Sequence, residues 1–477
     1  MPNARSRRSR LGVAAAVLAL SAVGAVAPAA TASATPGAVA APAAVEGPLL
    51  SYVVNTKANS SSTREAAEWV EAFGGTVVET YRKIGVVVAR STDPGFAANL
   101  RSLGPKVVDS VGATRTTAVV QSEDETTLID TPVATGAQSA ADPLEAQQWD
   151  LPLIKADQAQ VLEDGSRKVL VGILDSGVED THPDLAPNVD AASSAGCITG
   201  KADTTRASWL PTTSDHGTHV AGTVAAARNG IGMVGVAPGV RIASVKVVSD
   251  EGFIYPESAI CGFMWAAEHK MDVTNNSYYI DPWLFWCAND PDQAAAAEAV
   301  RRAVAYSHKQ DVLNVAAAGN QNYDLANKTT DTTSPNDSGP VTRPVSDDCL
   351  HLPAEAGGVV SVASVTQAKA KSSFSNYGLG HIDVAAPGSS VLSTVLNGRY
   401  GLKSGTSMAS PHVAGVAALY KSAHPRAGQA EVLAALRAQA DPLACPTTGA
   451  AAAQCTGTTA YNSLFGYGLV DALDAVS

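Results

Sequence analysis

The stretch KVLVGILDSG, Lys168–Gly177, decides how the larger part of this chain is read. It is a nearly unbroken apolar run, rich in β-branched residues, that ends directly in Asp175-Ser176-Gly177. A strand without polar alternation must be covered on both faces, which is the situation of strands in a parallel sheet flanked by helices. Working outward, VRIASVKVV (Val240–Val248), DVTNNSY (Asp272–Tyr278), VLNVAAAGN (Val312–Asn320) and GVVSVASV (Gly358–Val365) repeat the theme. Helical patterns separate them, notably PESAICGFMWAAEH (Pro256–His269) and DQAAAAEAVRRAVAYSHK (Asp292–Lys309). The expectation is an α/β domain over 144–477, with a mostly parallel sheet and helices on both faces. Functional groups in such sheets collect at the carboxyl ends of strands.

The 477 residues carry a net charge of -12, and no basic stretch lies outside the first ten residues, so nucleic acid is not an expected partner. Those ten residues hold four arginines, and LGVAAAVLALSAVGAVA (Leu11–Ala27) follows without a charge, leading to Ala32-Ser33-Ala34. A basic start, an apolar run and an A-x-A site read as a cleavable secretory signal over 1–34. A retained membrane anchor is the alternative, but the alanine content and small-residue exit favour cleavage and an extracellular protein with no membrane attachment in its mature form. All six cysteines lie beyond residue 190, and an even number in an exported chain points to disulfides. Cys445 and Cys455 pair across a short Gly/Thr/Ala loop; Cys197 with Cys261 and Cys287 with Cys349 is the arrangement taken for the rest. There is no CxxC pair to suggest a thiolate zinc site.

An Ala/Pro linker over 35–48 precedes a compact unit over 49–111. Its pattern of strand, helix, strand, strand, helix, strand is that of a small α+β, ferredoxin-like domain. The last strand is placed on KVVDSV (Lys106–Val111). Residues 112–143 are polar and aperiodic and read as an exposed linker.

Three element ends could carry chemistry. Asp175 at its strand terminus either orients a basic partner or caps a loop as an Asx-turn. His216 opens the small-residue helix SDHGTHVAGTVAA (Ser214–Ala226), with His219 three residues on. The HxxH spacing raises a metallohydrolase, but the zinc-protease pattern needs histidines four apart around a glutamate. A structural role is preferred for His219 and His182. Ser407 lies in SGTSMASPHVAGVAAL (Ser404–Leu419), which also has the ingredients of a helix start: small hydroxyl residues, Pro411 in the first turns, then alanines and valines. An acid, an imidazole and a serine supply the three roles that make a hydroxyl nucleophilic. Their order, Asp175, His216, Ser407, is not that of an α/β-hydrolase, and Ala409 stands where the G-x-S-x-G elbow needs glycine. Asn320, closing NVAAAGN, can donate to a developing oxyanion beside the Ser407 N–H.

Taken together, VLVGILDSGVEDTHPDL, HGTHVAGTVA, AAAGN and GTSMASPHVAGVAAL resemble the four signature segments of the subtilisin-like serine proteases, in the family's order, from about Gln147 to Asp471. The resemblance implies a subtilisin-like fold and a secreted serine endopeptidase that acts on proteins or peptides and is expected to be monomeric. Asp175 would orient the imidazole, His216 act as base and then acid, Ser407 attack, and Asn320 hold the oxyanion. Residues 49–111 resemble the family's inhibitory prodomain, an intramolecular partner removed by self-cleavage before about Leu144. Activity would fall below about pH 6, because the base must be a neutral imidazole. The family's substrate strand usually reads Ser-Leu-Gly-Gly; Ser277-Tyr278-Tyr279-Ile280 stands here, so crowding of the substrate pocket is expected, with surface packing of the tyrosines as the alternative. The inserted DPWLFWCANDPDQ and the long loop from Asn322 to Cys349 each hold a cysteine and could rebuild the pocket rim. Asp184 and Asn229, in ARNGIGMVG, match positions that hold structural Ca²⁺ in the family; no catalytic metal is expected.

Overall fold

The structure is a computed structural model, and it describes residues 47–116, 127–129 and 141–477. The signal segment and most of the Ala/Pro linker lie outside the described residues.

Residues 47–116 form a four-stranded antiparallel sheet in the order Thr76–Tyr81, Val86–Ser91, Leu50–Asn55, Ser110–Ala113. Helices Ser60–Ala72 and Phe96–Arg101 connect the strands, and Tyr52, Val87, Phe96 and Leu100 share a small core. The last strand lies further along the chain than expected. Lys106–Asp109 turn, and pairing starts at Ser110, where Asn55 and Ser110 come into register. The sheet rests on helices Pro256–Glu268 and Pro291–Lys309. Asn55 Nδ2 donates to the Ala295 carbonyl at 2.8 Å, the Arg302 guanidinium to the Thr56 carbonyl at 2.7 Å, and Arg101 pairs with Asp292.

The larger part is built on a seven-stranded sheet in the order 384–387, 360–365, 313–317, 273–276, 170–175, 241–246, 195–196. Every neighbouring pair is parallel. Alternate residues of one strand feed two cores. Val171 and Ile173 pack with Val220 and Val413 on one face, and Leu170 and Leu174 with Ile260, Phe263 and Val300 on the other. This is why Lys168–Gly177 carries no polar alternation: neither face meets water. After Leu170–Asp175 the chain builds Arg241–Lys246 on one side, then crosses to Val273–Asn276 on the other. Strand order therefore reverses at Asp175, and a crevice opens at the carboxyl ends there.

On the first face lie two helices with few exposed residues, His216–Ala225 and Thr406–Ala423. Small residues let them close in. A Cβ added to Gly415 would lie 2.6 Å from Val236 Cβ. The three disulfides join Cys197–Cys261, Cys287–Cys349 and Cys445–Cys455, as the sequence suggested.

Within the polar stretch 112–143 the chain is not wholly an exposed linker. Gly112 and Ala113 belong to the last strand of the small sheet and Thr114 is buried. Residues 127–129 add an antiparallel strand to the hairpin Val391–Val395/Arg399–Lys403, with Leu128 opposite Gly401. Such edge pairing is backbone-driven and leaves no periodic signature in so short a segment. Among the described residues no helix is long and apolar enough to cross a membrane.

Replacing Gly415 with alanine should overpack the helix against Val236 and destabilise the protein by about 1–3 kcal/mol. Thermal unfolding should show a lower midpoint than the parent, and an unchanged midpoint would contradict this packing.

Candidate active site

Asp175, at the reversal point, is 1% exposed. Its Oδ1 accepts from His216 Nδ1 at 2.8 Å and from the Ser176 N–H at 2.7 Å. Facing a carboxylate, Nδ1 must carry the ring proton, which leaves Nε2 as the basic nitrogen. The helix reaches this close because residue 217 is glycine: a Cβ there would lie 2.4 Å from the Gly177 carbonyl and 3.1 Å from Asp175 Cβ. The Gly217 N–H donates to Ser176 Oγ at 2.9 Å, so Ser176 ties the turn to the helix start.

Ser407 is held by a reciprocal pair of bonds. Its Oγ donates to the Ser277 carbonyl at 3.1 Å, and Ser277 Oγ donates to the Ser407 carbonyl at 2.7 Å. The second bond has a cause four residues away. In an uninterrupted helix the Ser407 carbonyl would accept from residue 411, but Pro411 has no N–H. The freed carbonyl takes the Ser277 hydroxyl instead. Asn275 Nδ2 donates to Ser277 Oγ at 2.8 Å, and Asn275 Oδ1 accepts from Ser410 Oγ at 2.6 Å. Strand 273–276 and the helix carrying Ser407 are thus locked together by buried, satisfied polar groups.

The cap of that helix also comes from afar. Neither Ser404 nor Gly405 caps it with a side chain; Asn320 Oδ1 accepts from the Thr406 N–H and from Thr406 Oγ1, both at 2.8 Å. A backbone N–H can only donate, so the atom facing it is the amide oxygen, and the Asn320 NH₂ is turned the other way. Asn320, Ser407, His216 and Asp175 all line one cavity of about 530 Å³. The Ser407 N–H belongs to the first helical turn, where amides lack intrahelical acceptors and the dipole favours negative charge. The geometry offers an oriented base, a hydroxyl and two donors around one space, which is the equipment of acyl transfer.

Ser277, Tyr278 and Tyr279 line the same cavity. Tyr278 is 9% exposed and packs into the core, its hydroxyl donating to Asn276 Oδ1 at 3.0 Å. Tyr279 turns the other way: its hydroxyl accepts from Asn336 Nδ2 at 2.9 Å, and its ring lies 5.7 Å from His351. Neither tyrosine therefore lies loose on the surface. Asn336, from the long inserted loop, also donates to Asp281 Oδ1 at 2.7 Å, while Asp281 Oδ2 accepts from the Ile254 N–H at 2.7 Å. Burial nonetheless pushes the Asp281 carboxyl up to about 7. Asn336, Asp281 and Asn275 were not singled out from sequence. Only the loop insertion and the unusual tyrosines pointed toward this wall.

His219 is fully buried, with Nε2 facing the carbonyls of Val391 at 3.1 Å and Gly401 at 3.3 Å; burial holds its imidazole down to about 3. Facing two carbonyls, Nε2 must be its protonated nitrogen, so this ring ties the histidine helix to the Val391–Lys403 hairpin. His182 is likewise structural, bonded to the Arg399 carbonyl at 2.9 Å.

The structure places Asp184 next to the loop carrying Asn229. Asp184 Oδ2 accepts from the Met233 N–H at 3.0 Å and from the Tyr400 hydroxyl at 2.9 Å, while Oδ1 is buried without a hydrogen-bond partner. Asp142 approaches the same loop, accepting from the Gly230 N–H at 2.7 Å, and its Oδ2 is also buried without a partner. Burial pushes Asp184 up to about 6, and the Asp142 charge adds to the rise. Asn229 Oδ1 accepts from the Ile231 N–H at 3.1 Å and retains a lone pair. Two buried carboxylate oxygens lacking partners, with an amide oxygen close by, fit a hard cation better than they fit no ligand at all. Among the described residues there is no group of three or more His, Cys, Asp or Glu placed to hold a metal.

The sequence model of the subtilase family matches residues 166–468, and the chain belongs to that family. It is a serine endopeptidase of the subtilisin type. Subtilisin DY from Bacillus licheniformis is 34% identical over 284 residues, covering 60% of this chain and 88% of that protein. M-protease from Shouchella clausii is 32% identical over 326 residues, 68% of each chain. Among solved structures, the epidermin leader peptide processing serine protease of Staphylococcus aureus superposes with a TM-score of 0.68 at 22% identity, over 90% of this chain and 98% of that one. Fervidolysin from Fervidobacterium pennivorans, a keratinolytic enzyme related to subtilisin, gives 0.65 at 24% identity over 91% of this chain and 61% of that one. At these identities the structural likeness speaks for the fold.

The buried Asp281 carboxyl gives a pH prediction. Its folded value of about 7 lies above the ordinary carboxylate value of ~3.9, so in that window the folded protein holds a proton the unfolded chain has released. Its penalty is absent below about pH 4 and complete above about pH 7, so stability should fall as pH rises between them. In the inactive Ser407→Ala chain, the unfolding midpoint followed from pH 5 to 8 should decline less when Asp281→Asn is added. Equal slopes would refute the assignment.

Proposed function

We propose that Asp175, His216 and Ser407 form the catalytic triad of a secreted endopeptidase made as a self-processed precursor. The observation that carries the triad is the 2.8 Å bond between His216 Nδ1 and Asp175 Oδ1, set on the cavity that Ser407 and Asn320 also line. Ser407 Oγ attacks the peptide carbonyl as His216 Nε2 takes its proton. The tetrahedral oxyanion is held by the Asn320 NH₂ and the Ser407 N–H. The leaving amine departs with the proton from His216, and water then releases the acyl group by the same sequence in reverse roles. Ser277 offers backbone to an extended peptide, and Tyr278 and Tyr279 shape the wall against which its side chains lie.

Residues 49–111 act in this reading as the inhibitory prodomain, docked on helices 256–268 and 291–309, with self-cleavage within or beside the 112–143 linker, before about Leu144. Export through the 1–34 signal accords with the cysteines, all of which are disulfide-bonded. The mature enzyme works as a monomer on protein or peptide substrates. A calcium ion held by Asp184, Asn229 and Asp142 would neutralise the two buried carboxylates and fix the loop between the histidine helix and residue 233.

Two outcomes are expected. The parent should be labelled at Ser407 by a fluorophosphonate once processed, whereas a Ser407→Ala precursor should persist uncleaved. Absence of label on folded, processed enzyme would sink the serine assignment, and normal processing of Ser407→Ala would remove self-cleavage. For the metal, calcium should raise the unfolding midpoint of the chelator-treated protein, and Asp184→Ala should abolish that rise. A calcium response that survives the substitution would place the ion elsewhere.

A further inference from the structure

The segment that leaves the last strand of the small sheet does not simply trail away. Arg115 Nη2 pairs with Glu257 Oε1 at 2.6 Å, and its guanidinium carbon lies 3.9 Å from the centre of the Tyr255 ring. The Thr116 N–H donates to Asp337 Oδ2 at 2.8 Å, and its hydroxyl bonds the other Asp337 oxygen. We propose that Tyr255 and Glu257 form a substrate subsite for a guanidinium side chain on the acyl side of the cleaved bond, filled in this chain by its own Arg115, with Asp337 holding the residue that follows it. The proposal rests on reading 49–111 as the inhibitory unit.

Three features set this contact apart from ordinary docking. Glu257 has a side chain only 1% exposed, and its Oε2 is buried without a partner, so the pocket still lacks a second donor even with Arg115 in place. With residues 47–116 docked, a Glu257 carboxylate stripped of its cation would be strongly penalised, and its first-turn position in helix Pro256–Glu268 offsets only part of that. The site is therefore selective for a cation. A ring face 3.9 Å from the guanidinium carbon suits a planar cation better than an ammonium.

The pocket also continues the catalytic cleft. Tyr255 directly follows Phe253 and Ile254, and Asp337 follows Asn336, and all three of those neighbours line the cavity that holds Ser407. The two walls are joined, since the Asp281 N–H donates to the Ile254 carbonyl at 2.8 Å and the Asn336 N–H to the Pro282 carbonyl at 3.0 Å. Tyr255 and Asp337 are thus chain neighbours of residues that line the cavity. The polarity belongs to the proposal: a cut downstream of Thr116 leaves Arg115 on the acyl side.

The test uses processed enzyme obtained from the full-length chain and peptides carrying Arg, Lys, Gln or Leu at each position upstream of the cut. At one upstream position Arg should exceed Leu in kcat/KM by about tenfold or more, with Lys in between, as expected for a charge-assisted bond. Glu257→Gln should remove most of that preference, with rates normalised to Ser407 sites titrated by a fluorophosphonate so that misfolded enzyme does not count. A flat profile in the parent enzyme, which needs no variant, overturns the proposal, as does a preference unchanged in Glu257→Gln. Processing of the Ser407→Ala precursor would remove self-cleavage separately, leaving the profile interpretable.

Discussion

The reciprocal bonds between Ser277 and Ser407 are the contact on which the site depends. They exist because Pro411 removes an amide from the middle of a helix and leaves the Ser407 carbonyl in need of a donor. A proline in that position ordinarily costs about 3 kcal/mol of helix stability. Here the loss is offset by the Ser277 hydroxyl, and the defect becomes a fastener between the helix carrying Ser407 and the end of strand 273–276. Asn320 works in the same way from the other side: it caps the helix with its oxygen and, in doing so, turns its NH₂ away from the Thr406 amide that fixes it. Two structural repairs of one helix end thereby orient both Ser407 and the Asn320 amide.

Burial is the second constraint. With the sheet covered on both faces, polar side chains at its carboxyl edge leave water, and each needs a partner or bears a raised pKa. Asp175 has His216, and Glu257 has Arg115. Asp281 has donors but too little solvent, and Asp184 and Asp142 each keep one buried oxygen unpartnered. Asp175 and Glu257 also keep one buried oxygen each without a hydrogen-bond partner, so an unpartnered oxygen does not by itself mark a ligand site.

Much of this was legible in the sequence. The central strand, the flanking helices and the small α+β unit follow from periodicity, and the positions of Asp175, His216, Asn320 and Ser407 at element ends follow from where apolar runs stop. Other features were hidden for stated reasons. The 127–129 strand pairs through its backbone at an edge and leaves no pattern. The last strand of the small unit slipped to Ser110 because its register is fixed by a partner strand distant in sequence. Tyr278 and Tyr279 are adjacent residues, yet one enters the core and the other meets the inserted loop, which alternation predicts in kind but not in destination.

By itself, the sequence determined the class of fold and the residues able to do chemistry, because hydrophobic periodicity and local turn chemistry are short-range properties, and its four signature segments carried the resemblance to the family. The tertiary structure alone decided which of them meet. It set His216 rather than His219 against Asp175, gave the Ser407 carbonyl to Ser277, and brought Arg115 to Glu257 across 142 positions of chain. Those pairings depend on strand order and on the close approach of helices at glycines. Both are set by packing the whole chain at once rather than by any segment's own preference.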